Sequence, residues 1–201
     1  MLLDVDDSQL VLVDFQQRLV PALHQGEACL AQGMKLAQAA HLLEVPVWGT
    51  EQNPAKLGEN PADMKALCRQ TLAKMHFSAC EEGLVEWLRP VVHAKPAGNA
   101  RSLPKHLQKP PAAAESPSAI VLAGVEAHVC LLQTALDLLD EAFDVWVVTD
   151  ACTSRTERNR DAAYDRLAAA GAELVTTEMV LFEWMRSAEH PQFKAVQAFI
   201  K

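Results

Sequence analysis

Seven residues, Gly124-Val-Glu-Ala-His-Val-Cys130, put a glycine, a carboxylate, an imidazole and a thiol between the apolar run SAIVLA and the helical pattern LLQTALDLLDEAF. A cysteine in the first turn of a helix feels the positive end of the helix dipole, which favours thiolate and can pull its pKa below the free value of ~8.5. Cys130 is therefore a candidate nucleophile. Such a thiol needs a proton acceptor and a nearby positive charge. Asp14, closing the run LVLVD, suits the first task, and Lys74, in LAKMHFSAC, suits the second. Each residue also has a plainer reading. Buried cysteine commonly packs as a small apolar side chain, an acid at a strand end is often a cap or turn residue, and a lysine is by default exposed. His128 and Cys130 with Asp14 make a competing zinc reading, disfavoured because H-x-C without a second close pair is not a recognised zinc spacing. The stretch also lacks the G-x-G-x-x-G and G-K-[ST] patterns of a phosphate cradle.

These residues must be positioned by the elements around them. Leu10 to Asp14 and Val45 to Trp48 are short continuous apolar runs, as expected of strands buried on both faces. Between them Cys29, Gly33, Leu36, Ala40 and Leu43 recur at spacings of four and three, the stripe of an amphipathic helix that Pro46 closes off. A second unit repeats the pattern. Ala119 to Ala123 reads as a strand, Leu132, Ala135, Leu136, Leu139 and Phe143 mark a helix face, and Val145 to Val148 the next strand. Glu157 to Ala170 reads as a helix stopped by Gly171, Glu173 to Thr176 as an edge strand, and two helical segments follow, the second opened by Pro191. The alternation predicts a single α/β domain over residues 1–201, with a parallel sheet covered by helices on both sides. Residues 96–117, with Pro-Pro, Gly-Asn and three alanines, read as a surface excursion.

In an open parallel sheet ligands bind outside the carboxyl ends of the strands. The residues to inspect are therefore Asp14, Phe15 and Gln16; Thr50, Glu51 and Gln52; Gly124 to Cys130; and Thr149, Asp150 and Cys152. A net charge of -8, with 18 Lys and Arg scattered among 26 acids, argues against nucleic acid and an anionic membrane surface as partners. The amino-terminal MLLDVDDSQL has no basic region and no apolar stretch of signal length, and no segment approaches the ~20 apolar residues of a membrane span. The expected compartment is cytoplasmic. Five cysteines, an odd number with no C-x-x-C pair, read as thiols rather than a disulfide framework.

LVLVDFQ, VPVWGTEQNPAKLG, KMHFSAC and AGVEAHVCLLQTALDLLDEAFDVWVVTDACTSR, in that order, resemble the isochorismatase-like cysteine hydrolases, whose members include nicotinamidases and carbamoylsarcosine amidases. Leu181-Phe-Glu and His190-Pro-Gln-Phe-Lys194 resemble the close of the isochorismatase domain-containing branch. The resemblance implies a three-layer α/β/α sandwich with a Rossmann-like parallel sheet of five to six strands in the order 3-2-1-4-5-6. It implies an Asp14, Lys74 and Cys130 triad, a cis peptide between Val125 and Glu126, and an oxyanion held on backbone N-H groups near Glu126 and Cys130. A homo-oligomer acting on a small-molecule substrate is the further expectation.

The departures shape the rest. Nicotinamidases carry an Asp-x-His metal site after the second strand, where this chain has Glu51-Gln52-Asn53, so neither metal nor cofactor is expected. True isochorismatases hydrolyse a vinyl ether without needing a cysteine, so Cys130 favours an amide, carbamoyl or ester-like substrate. Phe15, Glu51, Gln52 and Phe77 are the expected substrate-binding residues. The alternative of another class is a binding or scaffold protein that keeps the fold without turnover.

Overall fold

The computed structural model describes residues 2–89 and 117–200, so all but the last residue of the 96–117 excursion lies outside the described residues. β1 (Ser8–Val13), β2 (Val47–Gln52), β3 (Gln70–Lys74), β4 (Ala119–Val125), β5 (Asp144–Thr153) and β6 (Glu173–Val175) form one parallel sheet in the order β3-β2-β1-β4-β5-β6. Every residue of β1, β2 and β4 is buried, which is why LVLV of β1 and AIVLA of β4 read as continuous apolar runs, whereas β2 ends in the buried polar residues Thr50, Glu51 and Gln52. Leu10 and Leu12 of β1 face one layer of helices, α1 (Gly26–Leu42), α3 (Ala62–Leu67), α7 (Thr177–Met185) and α8 (Phe193–Ile200). Val11 and Val13 face the other, α4 (Leu84–Leu88), α5 (Leu132–Asp140) and α6 (Glu157–Ala170). A short α2 (Pro54–Leu57) follows β2. This is the expected three-layer sandwich, with the expected strand order.

The α1 stripe is buried as its spacing predicts through Cys29, Gly33, Leu36 and Ala40, whereas Leu43 stands just past the helix as its C-cap. Gly171 ends α6 in the left-handed conformation, at φ 103°. Trp184 and Met185 are core residues, while Phe182 keeps an exposed face and packs its ring 6.4 Å from that of Phe193. Among the described residues no helix is long and apolar enough to cross a membrane.

β3 is a strand that the sequence reading did not anticipate, and β2 and β5 depart furthest from their expected bounds. β2 begins at Val47 instead of Val45 and runs on through Gln52, so Thr50, Glu51 and Gln52 are strand residues whose side chains alternate between faces. β5 is longer still. It leaves β4 after the Leu122/Val147 pair and rejoins it at Gly124/Cys152, a bulge that absorbs Val148 to Ala151. Thr149, Asp150 and Cys152, expected at the open rim, are therefore tied into the frame. The Asp150 carboxylate accepts from the Thr177 N-H at 2.8 Å and the Thr177 hydroxyl at 3.0 Å, and the Tyr164 hydroxyl donates to the Thr149 and Cys152 carbonyls.

Candidate active site

The strand order reverses between β1 and β4, and the residues that leave these two strands meet at the crevice this creates. Asp14 follows β1 with φ 52°, a left-handed turn that aspartate tolerates better than most residues, and its carboxylate is fully buried. Two donors hold it. The Thr50 hydroxyl donates to Oδ1 at 2.7 Å and the Lys74 ammonium to Oδ2 at 2.9 Å. Lys74 closes β3 with no exposed side-chain surface, the reverse of the default for lysine. Its Nζ also donates to Gln52 Oε1 at 2.7 Å and to the Phe77 and His76 carbonyls at 3.0 and 3.4 Å. A buried ion pair is tolerable only when its remaining polar positions are satisfied, and here they are.

Cys130 lies in a single π-helical turn, Ala127–Leu131, that leads into α5. It is 5% exposed, and its sulfur is 3.8 Å from Gln52 Oε1. Burial, and then the Asp14 carboxylate, push the thiol pKa up to about 12 against an opposing pull from Lys74. Desolvation and the neighbouring anion act on the sulfur in the direction opposite to the one its helix position alone suggests. At rest Cys130 is a thiol beside a carboxylate.

Gly124, at φ 141°, sets the approach of the two strands: a Cβ there would lie 2.2 Å from the Val13 carbonyl oxygen, one residue before Asp14. The Val125–Glu126 peptide is cis. The Glu126 carboxylate accepts from Arg155 Nε at 2.9 Å. His128 contacts Ser154 Oγ through Nδ1 at 3.0 Å and Asn159 Nδ2 through Nε2 at 3.2 Å, so both ring nitrogens are engaged away from the sulfur. Among the described residues no group of three or more His, Cys, Asp or Glu is gathered as a metal site would require.

The four expected substrate-binding residues separate. Phe15 is fully buried, its ring against Gly33 of α1, and presents no surface to a ligand. Glu51 points to the face opposite Thr50 and Gln52, where Oε1 accepts from the Asn60 N-H at 2.8 Å and lies 3.3 Å from Lys65 Nζ. Gln52 is bound into the Lys74 and Cys130 cluster. Phe77 alone is at the surface, 52% exposed, lining an open cleft with Met75, Gln133 and Leu136. Strand alternation would have separated Glu51 from its neighbours once β2 was known to reach Gln52. Thr50, in register with Val13, was within view in the sequence as a rim residue but without a task.

The Isochorismatase domain matches residues 8–179 of the chain. The chain is 33% identical, over 96% of its length and 83% of the relative's, to isochorismatase domain-containing protein 2 of Xenopus laevis. It is 36% identical, over 94% of its length and 59% of the relative's, to isochorismatase domain-containing protein 1 of Danio rerio. Among solved structures it resembles the MAR1 ribonuclease of Caenorhabditis elegans, with TM-score 0.83 and 28% identity over 100% of this chain and 92% of that one. It also resembles the YcaC gene product of Escherichia coli, an octameric hydrolase of unknown specificity, with TM-score 0.81 and 25% identity over 98% of this chain and 88% of that one. With the domain match covering most of its length, the chain belongs to the isochorismatase family.

Proposed function

We propose that this family member is a cysteine-dependent hydrolase of a small amide, carbamoyl or ester-like metabolite. The observation that carries the reading is the buried Asp14 and Lys74 pair set beside the Cys130 sulfur at the strand crossover. In this mechanism Asp14 takes the thiol proton as the sulfur attacks the carbonyl carbon, forming a C-S bond and an oxyanion. Backbone N-H groups near Glu126 and Cys130 are the candidate donors to that oxyanion. Collapse expels the amine or alcohol, which receives the proton from Asp14, and leaves a thioester on Cys130. Water then attacks the thioester with Asp14 again as base, releasing the acid and the thiol. Lys74 keeps its charge throughout and holds the carboxylate in place.

The Phe77 and Met75 carbonyls bind the cluster through Lys74 and Gln52, and their exposed side chains line a cleft with Gln133 and Leu136. The ribonuclease activity of the Caenorhabditis elegans relative is not carried over, because a net charge of -8 opposes a polyphosphate substrate. Homo-oligomerisation is carried over as a proposal from the octameric Escherichia coli relative. The experiment is a turnover screen of small amides, carbamates and esters. Hydrolysis that disappears in Cys130→Ala supports the reading, and hydrolysis that survives it at the original rate overturns it.

A further inference from the structure

Asp14, at φ 52°, turns the chain away from the sheet, so the pairing of β1 with β2 ends at Val13 and Thr50 and at the Asp14 N-H bond to the Thr50 carbonyl, 3.2 Å long. β2 runs on for two residues with β3 on its other side, Glu51 opposite Ala73 and Gln52 opposite Lys74. The Gln52 backbone groups that face the departed strand are buried polar groups in need of partners. The Gln16 side chain supplies them. Its Oε1 accepts from the Gln52 N-H at 2.8 Å, and its Nε2 donates to the Gln52 carbonyl at 3.0 Å and to the Gly58 carbonyl. An N-H only donates and a carbonyl only accepts, so these partners fix which end of the amide is which. Gln16 is itself fully buried, with its own N-H on the Asp14 carbonyl at 2.7 Å and its carbonyl accepting from the Leu19 and Val20 N-H groups.

A side chain two residues beyond Asp14 thus replaces the lost strand partner, and the residue it holds is one that reaches the site. Gln52 Oε1 accepts from Lys74 Nζ at 2.7 Å and lies 3.8 Å from Cys130 Sγ, while Gln52 Nε2 donates to the Met75 carbonyl at 2.8 Å. We propose that Gln16 is a positioning residue: its amide completes the β2 ladder in place of β1 and fixes Gln52, and with it the shared contact to Lys74 and Cys130, relative to the Asp14 carboxylate. The Gln16 amide is spent on the backbone of Gln52 and Gly58, so it acts on the sulfur through Gln52. The consequence for catalysis rests on the cysteine hydrolase reading, whereas the positioning itself is tested without a substrate.

Gln16→Met nearly keeps the volume and deletes all three bonds, and Gln52→Met deletes the carbonyl that Lys74 and Cys130 share. The measurement is the alkylation rate of Cys130 by iodoacetamide, followed by peptide mass mapping at one neutral pH, in the parent, in each single variant and in the double variant. Each single substitution is expected to shift the rate by about twofold or more, both in the same direction. The double variant is expected to react as Gln52→Met alone does, because no carbonyl is left at residue 52 for Gln16 to place. A Gln16→Met rate equal to the parent's, single shifts of opposite sign, or a double shift equal to the product of the two single ones overturns the proposal. The last is what general loosening of the crevice would give. If Gln16→Met does not fold, Gln16→Asn takes its place, since its amide is too short to span both backbone groups of Gln52. In turnover, Gln16→Met should lower kcat by about tenfold or more and leave KM within about twofold; a raised KM at unchanged kcat contradicts the role. Cys130→Ala turnover, measured separately, decides the hydrolase reading whatever the alkylation rates show.

Discussion

The Asp14 carboxylate and the Lys74 ammonium have no exposed surface, so each is tolerable only because the other and its hydrogen-bond partners are in place. Asp14→Asn leaves the ammonium without its counter-charge and removes the proposed base. Thermal or urea unfolding should show a loss of ~3–5 kcal/mol, and hydrolysis should fall to background. Thr50→Val deletes only the hydroxyl that fixes Oδ1. It should cost about 1–3 kcal/mol of stability and lower kcat more than it raises KM, since the misdirected group is the base; an unchanged kcat would place Thr50 outside the proton-transfer path. Cys130 and Asp14 were legible from their positions past apolar runs. Lys74 was legible as the nearby positive charge and again by resemblance, but its complete burial was not, because a buried lysine has no local signature. The surroundings of Cys130 were not legible either, since helix position is local whereas burial and the Asp14 carboxylate arrive from distant parts of the chain.

Among the elements, β1 and β4 carry the geometry, and Gly124 is where they come closest. Gly124→Ala places a Cβ 2.2 Å from the Val13 carbonyl oxygen at a φ that alanine rarely adopts. It should destabilise the fold by ~2 kcal/mol or more and displace Asp14, a change visible in the unfolding midpoint and in lost turnover together. The loop after β3 is the second support. Glu82 Oε1 accepts from the Met75 and His76 N-H groups and from the His76 ring, and these bonds hold the Glu82 pKa down at about 2. A lowered pKa adds stability that is present above the unfolded value of ~4.3 and is lost as the pH falls toward the folded one. Hydrogen exchange at Met75 and His76, corrected for its intrinsic pH dependence, should therefore lose protection between pH ~4.3 and ~2 while β1 keeps its own; equal protection across that window would contradict the role of Glu82. Strands β1 and β4 were readable because burial on both faces leaves apolar runs, and β2 only at its Val47-Trp48 start. β3 was not, because QTLAK is a mostly half-exposed edge strand with little apolar signal, and the bulge in β5 is set by Asp150 and Tyr164, which are contacts across the fold.

For the molecule as a whole, the reversal of strand order between β1 and β4 brings residues far apart in sequence to one crevice, with Thr50 and Gln52 of β2 beside them. The βα alternation was sufficient to anticipate the layered sheet; the convergence of side chains needs register, which the alternation does not specify. An assembly of several copies should appear as a multiple of the 22.0 kDa chain mass in light scattering during gel filtration, and a monomer at micromolar concentration would refute the oligomer carried over from the Escherichia coli relative. The central claim concerns Cys130 and is tested most directly by acid-quenching the protein during turnover of an active ester or amide and weighing it. The mechanism predicts a mass increase equal to the acyl group, localised to the peptide containing Cys130, released by hydroxylamine and missing in Cys130→Ala. Turnover with no adduct on Cys130, and at the parent rate in Cys130→Ala, would contradict it.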